Sequence, residues 1–115
     1  MDKVIKYIEP KTFEDIYAWF LENYSEKREI FVKISRKKPE NCKGILSYYD
    51  AVNAALCFGW IDSTLRNVEG VLIQRFSRRR KNSHWTELNI SRCKELYKKG
   101  LMQPSGIKAC PADLK

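Results

Sequence analysis

The sequence contains little of the chemistry that enzymes and metal-binding proteins place in their sites. His84 is the only histidine, and the four cysteines, Cys42, Cys57, Cys93 and Cys110, form no Cys-x-x-Cys pair. A structural zinc site needs several soft ligands at short spacing, so we expect no metal site. The sequence also shows no nucleophile–base pair, no paired carboxylates and no glycine-rich phosphate loop. We therefore assign no catalytic residue and no cofactor.

Long apolar runs are missing as well. The N-terminal stretch MDKVIKYIEP lacks the apolar centre of a signal peptide, and no run approaches the length that spans a membrane. These features predict a cytoplasmic protein with reduced cysteines. A length of 115 residues with 43% hydrophobic residues predicts one domain over residues 1–115 that forms its own core. We expect a monomer or a weak dimer.

Positive charge is concentrated in the C-terminal third of the chain. The net charge is +8, and residues 75–115 hold eleven Lys and Arg against three Asp and Glu. The densest part is QRFSRRRKNSHW, where five cationic residues lie between Arg75 and Lys81. Such a field attracts anions: a phosphorylated ligand, a nucleic acid or anionic lipid headgroups. The alternative is a solvated charged surface that binds nothing specific.

The periodicity of apolar residues predicts the order helix, strand, helix, hairpin, helix, short helix. The predicted helices are 13–25 with Thr12 as N-cap, one between Ser47 and Gly59, one between Thr86 and Gly100, and one between Pro104 and Pro111. REIFVKIS predicts a strand, and IDSTLR with VLIQRF predicts a hairpin that turns at Gly70. Without a repeating βαβ unit this order favours an α+β fold. We expect a small antiparallel sheet, made of one strand plus a β-hairpin, covered by three to four helices.

Helical spacing also predicts which side chains face the core. Leu21 in the first helix, Tyr49 in the second and Leu88 in the third follow the apolar spacing of their helices. All three are therefore expected on the core side.

Several motifs occur in a fixed order along the chain. These are ALCFGWID at 55–62, QRFS at 74–77, SHWTELN at 83–89 and GLMQPSG at 100–106. The set resembles the YdeI/OmpD-associated family of small bacterial proteins, often labelled bacteriocin-protection proteins. The resemblance implies a role in resistance to bacteriocins and cationic antimicrobial peptides and in envelope stress, without an established catalytic activity. Arg78 and Lys81 stand where that family usually has prolines, which makes this segment more cationic and less rigid.

Trp60, Asp62 and Arg66 form the first candidate site. On a regular strand their even spacing places all three on one face. Asp62 is then expected to pair with Arg66 or, across the hairpin, with Arg75. This corner is either a polar ligand pocket rimmed by Trp60 or an ion pair that fixes the register of the sheet. An enzyme using Asp62 as general base is the third and least favoured function.

The basic segment supplies the second candidate site. Its members are Gln74, Arg75, Phe76, Arg78, Arg79, Arg80, Ser83, Trp85 and Asn89. Arginines bind phosphate through two parallel hydrogen bonds, and Phe76 or Trp85 could stack on a base. Ser83, Trp85 and Asn89 either cap and anchor a helix or complete an anion site at its N-terminus. We predict a non-catalytic module that binds an anionic partner through this basic edge, with a nucleic-acid-binding module as the alternative.

Overall fold

Four helices and a three-stranded antiparallel sheet build this protein, in a computed structural model that describes residues 6–80 and 83–114. The elements are α1 Phe13–Asn23, β1 Glu29–Lys33, a 3-10 helix Pro39–Asn41, α2 Tyr48–Cys57, β2 Trp60–Val68, β3 Val71–Arg78, α3 Glu87–Lys98 and α4 Pro104–Ala109. This arrangement confirms the predicted α+β fold and its small antiparallel sheet. Within the described ranges no helix has the length and apolar character needed to cross a membrane.

Three helices start at the N-caps expected from the sequence. The side chains of Thr12, Ser47 and Thr86 accept hydrogen bonds from backbone N–H groups in the first turns of α1, α2 and α3. Each such cap contributes about 1 kcal/mol to helix stability. Local hydrogen bonding therefore sets where these helices begin.

The hairpin between β2 and β3 closes through a two-residue turn. Glu69 has a φ of 53° and Gly70 a φ of 87°, which is the pair of positive values that a type I′ turn requires. The Asn67 side chain accepts a hydrogen bond of 2.8 Å from the Gly70 N–H. The strand order is β1-β3-β2, so β3 is the central strand.

A β-bulge in β2 changes which residues share a face. Asp62 lies opposite Phe76 and Leu65 lies opposite Gln74, so β2 advances three residues while β3 advances two. The extra residue inverts the alternation beyond the bulge. Arg66 consequently lies opposite Ile73, on the other face from Trp60 and Asp62. The prediction that these three share one face is wrong for this reason.

The core lies between the sheet and the helices. Trp60 packs edge-on against Phe20 at 5.1 Å between ring centroids, and Phe20 stacks on Phe58 at 5.4 Å. The buried alanines of α2 let the neighbouring helices approach closely. At Gly106 in α4, a Cβ atom would lie 2.2 Å from the Cys57 carbonyl oxygen. The contact between α4 and α2 therefore requires glycine.

Three apolar side chains expected in the core are exposed. Leu21 is 50% exposed, Tyr49 46% and Leu88 60%. Tyr49 and Leu88 lie in the first turns of α2 and α3, before the buried residues of those helices. The four cysteines are buried free thiols.

Candidate anion-binding site

An arginine cleft lies beside the end of β3. Arg28, Arg75, Ser77, Arg78 and Arg80 line this cleft, which has a volume of about 470 Å³. Arg75 and Ser77 come from the central strand, Arg78 and Arg80 from its end, and Arg28 from the residue before β1. Three of the arginines belong to the predicted basic edge. Lys81, also predicted there, lies outside the described residues.

Arg75 is held in place from both neighbouring strands. Its Nε donates a hydrogen bond of 2.9 Å to Glu29 on β1, and its Nη1 donates one of 2.9 Å to the Ser63 hydroxyl on β2. The guanidinium thus bridges the sheet while its Nη2 carries no hydrogen bond to the described residues. The prediction that Asp62 pairs with Arg75 is therefore wrong. The alternative, Arg66, is wrong as well, because Arg66 lies on the other face of the sheet from Asp62.

Arg78 is anchored in a similar way. Its Nε donates a hydrogen bond of 3.0 Å to the Lys27 carbonyl oxygen, and its two terminal nitrogens make no hydrogen bond to the described residues. The side chains of Arg28 and Arg80 are exposed. Two fixed and two exposed guanidinium groups therefore converge on one cleft.

Arg79 is directed away from the arginine cleft. Its guanidinium stacks on the Trp85 ring at 3.7 Å, and Nη1 donates hydrogen bonds to the Ser83 hydroxyl at 3.3 Å and the His84 carbonyl at 3.2 Å. Burial lowers the pKa of Arg79. The edge formed by Nε and Nη2 is buried without a hydrogen-bond partner among the described residues. Arg79, Ser83 and Trp85 thus form a joint that holds the segment before α3 in place.

Asp62 has a phenol as its partner. Its carboxylate accepts a hydrogen bond of 2.7 Å from the Tyr48 hydroxyl. Burial and this hydrogen bond raise the pKa of Tyr48. The guanidinium of Arg36 lies over the Tyr48 ring, 4.0 Å from its centroid. Asp62 is not among the residues that line the arginine cleft, so this geometry gives no support to a general-base role there.

Three further residues of the predicted site, Trp60, Gln74 and Phe76, are buried inside the domain. Trp60 and Gln74 are each 1% exposed and Phe76 is fully buried, so these side chains cannot contact a partner without unfolding the core. The Gln74 amide donates hydrogen bonds to the carbonyl oxygens of Thr64 and Arg75. It therefore satisfies the backbone at the bulge.

Asn89 does not cap α3 with its side chain. Its Oδ1 accepts a hydrogen bond of 3.1 Å from Arg92, and the Thr86 hydroxyl provides the cap. The predicted anion site formed by Ser83, Trp85 and Asn89 is therefore not assembled as one group. Trp85 is already stacked on one side by Arg79.

A family model for a domain of unknown function, DUF8412, matches residues 8–109. This match covers most of the 115 residues. The chain belongs to the DUF8412 family. No curated protein and no solved structure matches it.

One member of the cleft in this DUF8412 domain was not predicted. Arg28 lies 47 positions before Arg75 and was not among the candidate residues. Register brings it there, because β1 pairs antiparallel with β3 and Glu29 lies opposite Ser77. A basic residue at the start of the predicted strand REIFVKIS was the available signal, and it becomes informative only once the pairing of the strands is known.

Proposed function

We propose that this domain is a non-catalytic binding module whose arginine cleft binds an anionic partner. The observation that carries the proposal is the convergence of Arg28, Arg75, Arg78 and Arg80 on one cleft. A guanidinium group presents paired N–H donors that fit phosphate and carboxylate oxygens. Four such groups exceed the neutralising capacity of Glu29, which pairs with one of them.

Preorganisation strengthens the proposal. Arg75 and Arg78 are each fixed through Nε, so part of their side-chain entropy is lost before any ligand binds. Ordering a long side chain at an interface costs about 0.5–1.5 kcal/mol, and here the fold has already met some of that cost. The Ser77 hydroxyl adds a neutral donor at the same position.

The lining of the cleft favours binding over catalysis. Arginine and serine side chains stabilise negative charge by donating hydrogen bonds. A module that recognises an anion needs only these donors. A reaction would need in addition a base or a nucleophile within reach of the bound group.

The biological role is proposed from the motif resemblance to YdeI/OmpD-associated proteins. It implies a contribution to bacterial resistance against bacteriocins and cationic peptides, and we place that role in the cytoplasm, in a monomer or weak dimer. With a net charge of +8 the chain repels a cationic peptide. The domain therefore acts indirectly, by binding an anionic partner and not the cationic peptide itself. A deletion strain should be less tolerant of polymyxin, and tolerance equal to that of the parent strain would contradict this role.

Titration with pyrophosphate tests the cleft itself. Arg78→Gln with Arg80→Gln should weaken binding about tenfold or more, because hydrogen bonds between charged groups contribute about 1.5–3 kcal/mol each. Lys94→Gln with Lys99→Gln is the matched control, since it removes the same charge from exposed positions at α3. The control should change the affinity less than about twofold at 0.15 M salt. Equal weakening by both pairs would show a diffuse charge effect and exclude a defined site.

A further inference from the structure

We propose that the anionic partner is a single-stranded nucleic acid, which lies across the outer face of the sheet with Phe31 as its stacking residue. This inference rests on the proposed function, because it assigns the phosphates of that strand to the arginine cleft. The outer face is the side of the sheet that carries Phe31, Ile61, Arg66, Ile73, Arg75 and Ser77, together with Glu29, Lys33, Val68 and Val71.

Phe31, Ile61 and Ile73 of the outer face do not belong to the core cluster that the helices complete. The residues of the opposite face, including Val32, Trp60 and Phe76, belong to the core cluster that the helices complete. Phe31 and Ile61 are only partly buried, and neither packs against that cluster. The ring of Phe31 is partly exposed among the described residues. It provides a flat apolar surface that solvent and ligands can reach.

The position of Phe31 links stacking to charge. Phe31 lies directly opposite Arg75 in the pairing of β1 with β3. Side chains opposite one another in an antiparallel pair have Cβ atoms about 4.5–5.5 Å apart. Ser77 is two residues further along β3, about 7 Å from Arg75, and it lines the arginine cleft. A base stacked on Phe31 would therefore keep its neighbouring phosphate within reach of Arg75 and the cleft.

The charge of this surface suits a polyanion. Arg66 extends the positive charge of the cleft across β2, on the same face as Arg75. Glu29 is the carboxylate paired to this group of arginines. A row of cations beside an aromatic ring is the arrangement by which proteins bind single strands without reading their sequence. The bases of a duplex are already stacked on one another, so a duplex cannot use Phe31.

A lipid surface fits this face less well. Ile73 is 1% exposed although it points outward, and Phe31 is partly buried. Near the arginine cleft the outer face therefore offers little protruding apolar surface, and the exposed Val68 lies at the hairpin turn, at the other end of β2 and β3. Insertion between lipid headgroups needs apolar side chains that protrude.

Fluorescence anisotropy with a labelled ten-residue oligouridylate tests the inference. Phe31→Ala should weaken binding of the oligonucleotide about tenfold, whereas the affinity for pyrophosphate should change less than about twofold. Phe31→Tyr should bind nearly as tightly as the wild-type chain because it keeps the ring. Phe31→Leu provides an apolar variant without the ring, which keeps the test decisive if the alanine variant does not fold.

The outcomes separate the inference from the proposed function. Binding of pyrophosphate through the cleft together with no binding of the oligonucleotide, or with binding that Phe31→Leu leaves unchanged, would overturn the inference and leave the proposed function standing. Failure of both probes to bind would overturn both. Equally tight binding of a ten-base-pair duplex, of an acidic peptide, or of phosphatidylserine vesicles would overturn the single-strand assignment.

Discussion

Two adjacent residues of the central strand, Arg75 and Phe76, have opposite surroundings. Phe76 is fully buried beneath the helices, while Arg75 lies on the outer face and bridges Glu29 and Ser63. The same contrast recurs after the strand, where Arg80 is exposed and Arg79 stacks on Trp85. The density of cationic residues in the sequence therefore does not define the binding surface. The binding surface is defined by which cationic side chains are directed toward the arginine cleft and which are directed toward the core.

We expect the largest difference in the free energy of unfolding between substitutions on the two faces of the sheet. Trp60→Ala removes a fully buried ring that packs against Phe20, and we expect a loss of about 3–5 kcal/mol in the free energy of unfolding. Phe31→Ala on the outer face should cost less than half as much. Urea denaturation followed by far-UV circular dichroism measures both. Similar losses for the two variants would contradict the assignment of Phe31 to a face outside the core.

The packing of α4 against α2 gives the next largest effect. Gly106→Ala places a methyl group against the Cys57 carbonyl, so α4 must move away from α2. We expect a loss of about 1–3 kcal/mol, the usual cost of overpacking. The arginine cleft has no lining residue in α4, so affinity for pyrophosphate should be retained at a temperature where the variant is folded. A melting temperature equal to that of the wild-type chain would show that the contact is looser than described.

The buried thiol of Cys57 should make stability depend on alkaline pH. Burial raises its pKa from the ordinary value of 9.0 to about 12, so the folded chain holds this proton more tightly than the unfolded chain does. The contribution of the thiol is complete below pH 9 and is lost as the pH rises toward 12, by at most about 1.4 kcal/mol per pH unit. Denaturation of the wild-type chain and of Cys57→Ala at pH 7.5 and pH 10 checks this. A stability difference between the two that does not shrink at pH 10 would contradict it.

The smallest effect on stability belongs to the outer face. Glu29→Gln removes the carboxylate paired with Arg75, and both side chains are well solvated, so we expect a change of less than about 1 kcal/mol. The amide of the variant can still accept the hydrogen bond from the Arg75 Nε, while the loss of the negative charge should raise the affinity for pyrophosphate about two- to threefold. Calorimetric titration and thermal melting measure the two quantities. A weaker affinity would contradict a purely electrostatic effect of the Glu29 carboxylate on the cleft.

Local hydrogen bonding and turn chemistry allowed most of the elements to be predicted. The caps Thr12, Ser47 and Thr86 and the turn at Gly70 depend on atoms within four residues of one another, so their sequence signals are complete in themselves. The approximate positions of the elements and the fold class followed from these signals and from apolar spacing. The helix expected over 13–25 ends at Asn23, which is a shift of two residues.

The candidate site depended on tertiary structure. One extra residue in β2 moved Arg66 to the outer face, and the pairing of β1 with β3 brought Arg28 into the same cleft as Arg75. Neither event has a local signal, because both are set by the register between strands far apart in the chain. The sequence by itself determined that the C-terminal third is cationic and where its helices begin. Only the packing of the sheet against the helices decided which arginines meet in a cleft and which one stacks on a tryptophan, since each strand residue must face either the core or the solvent.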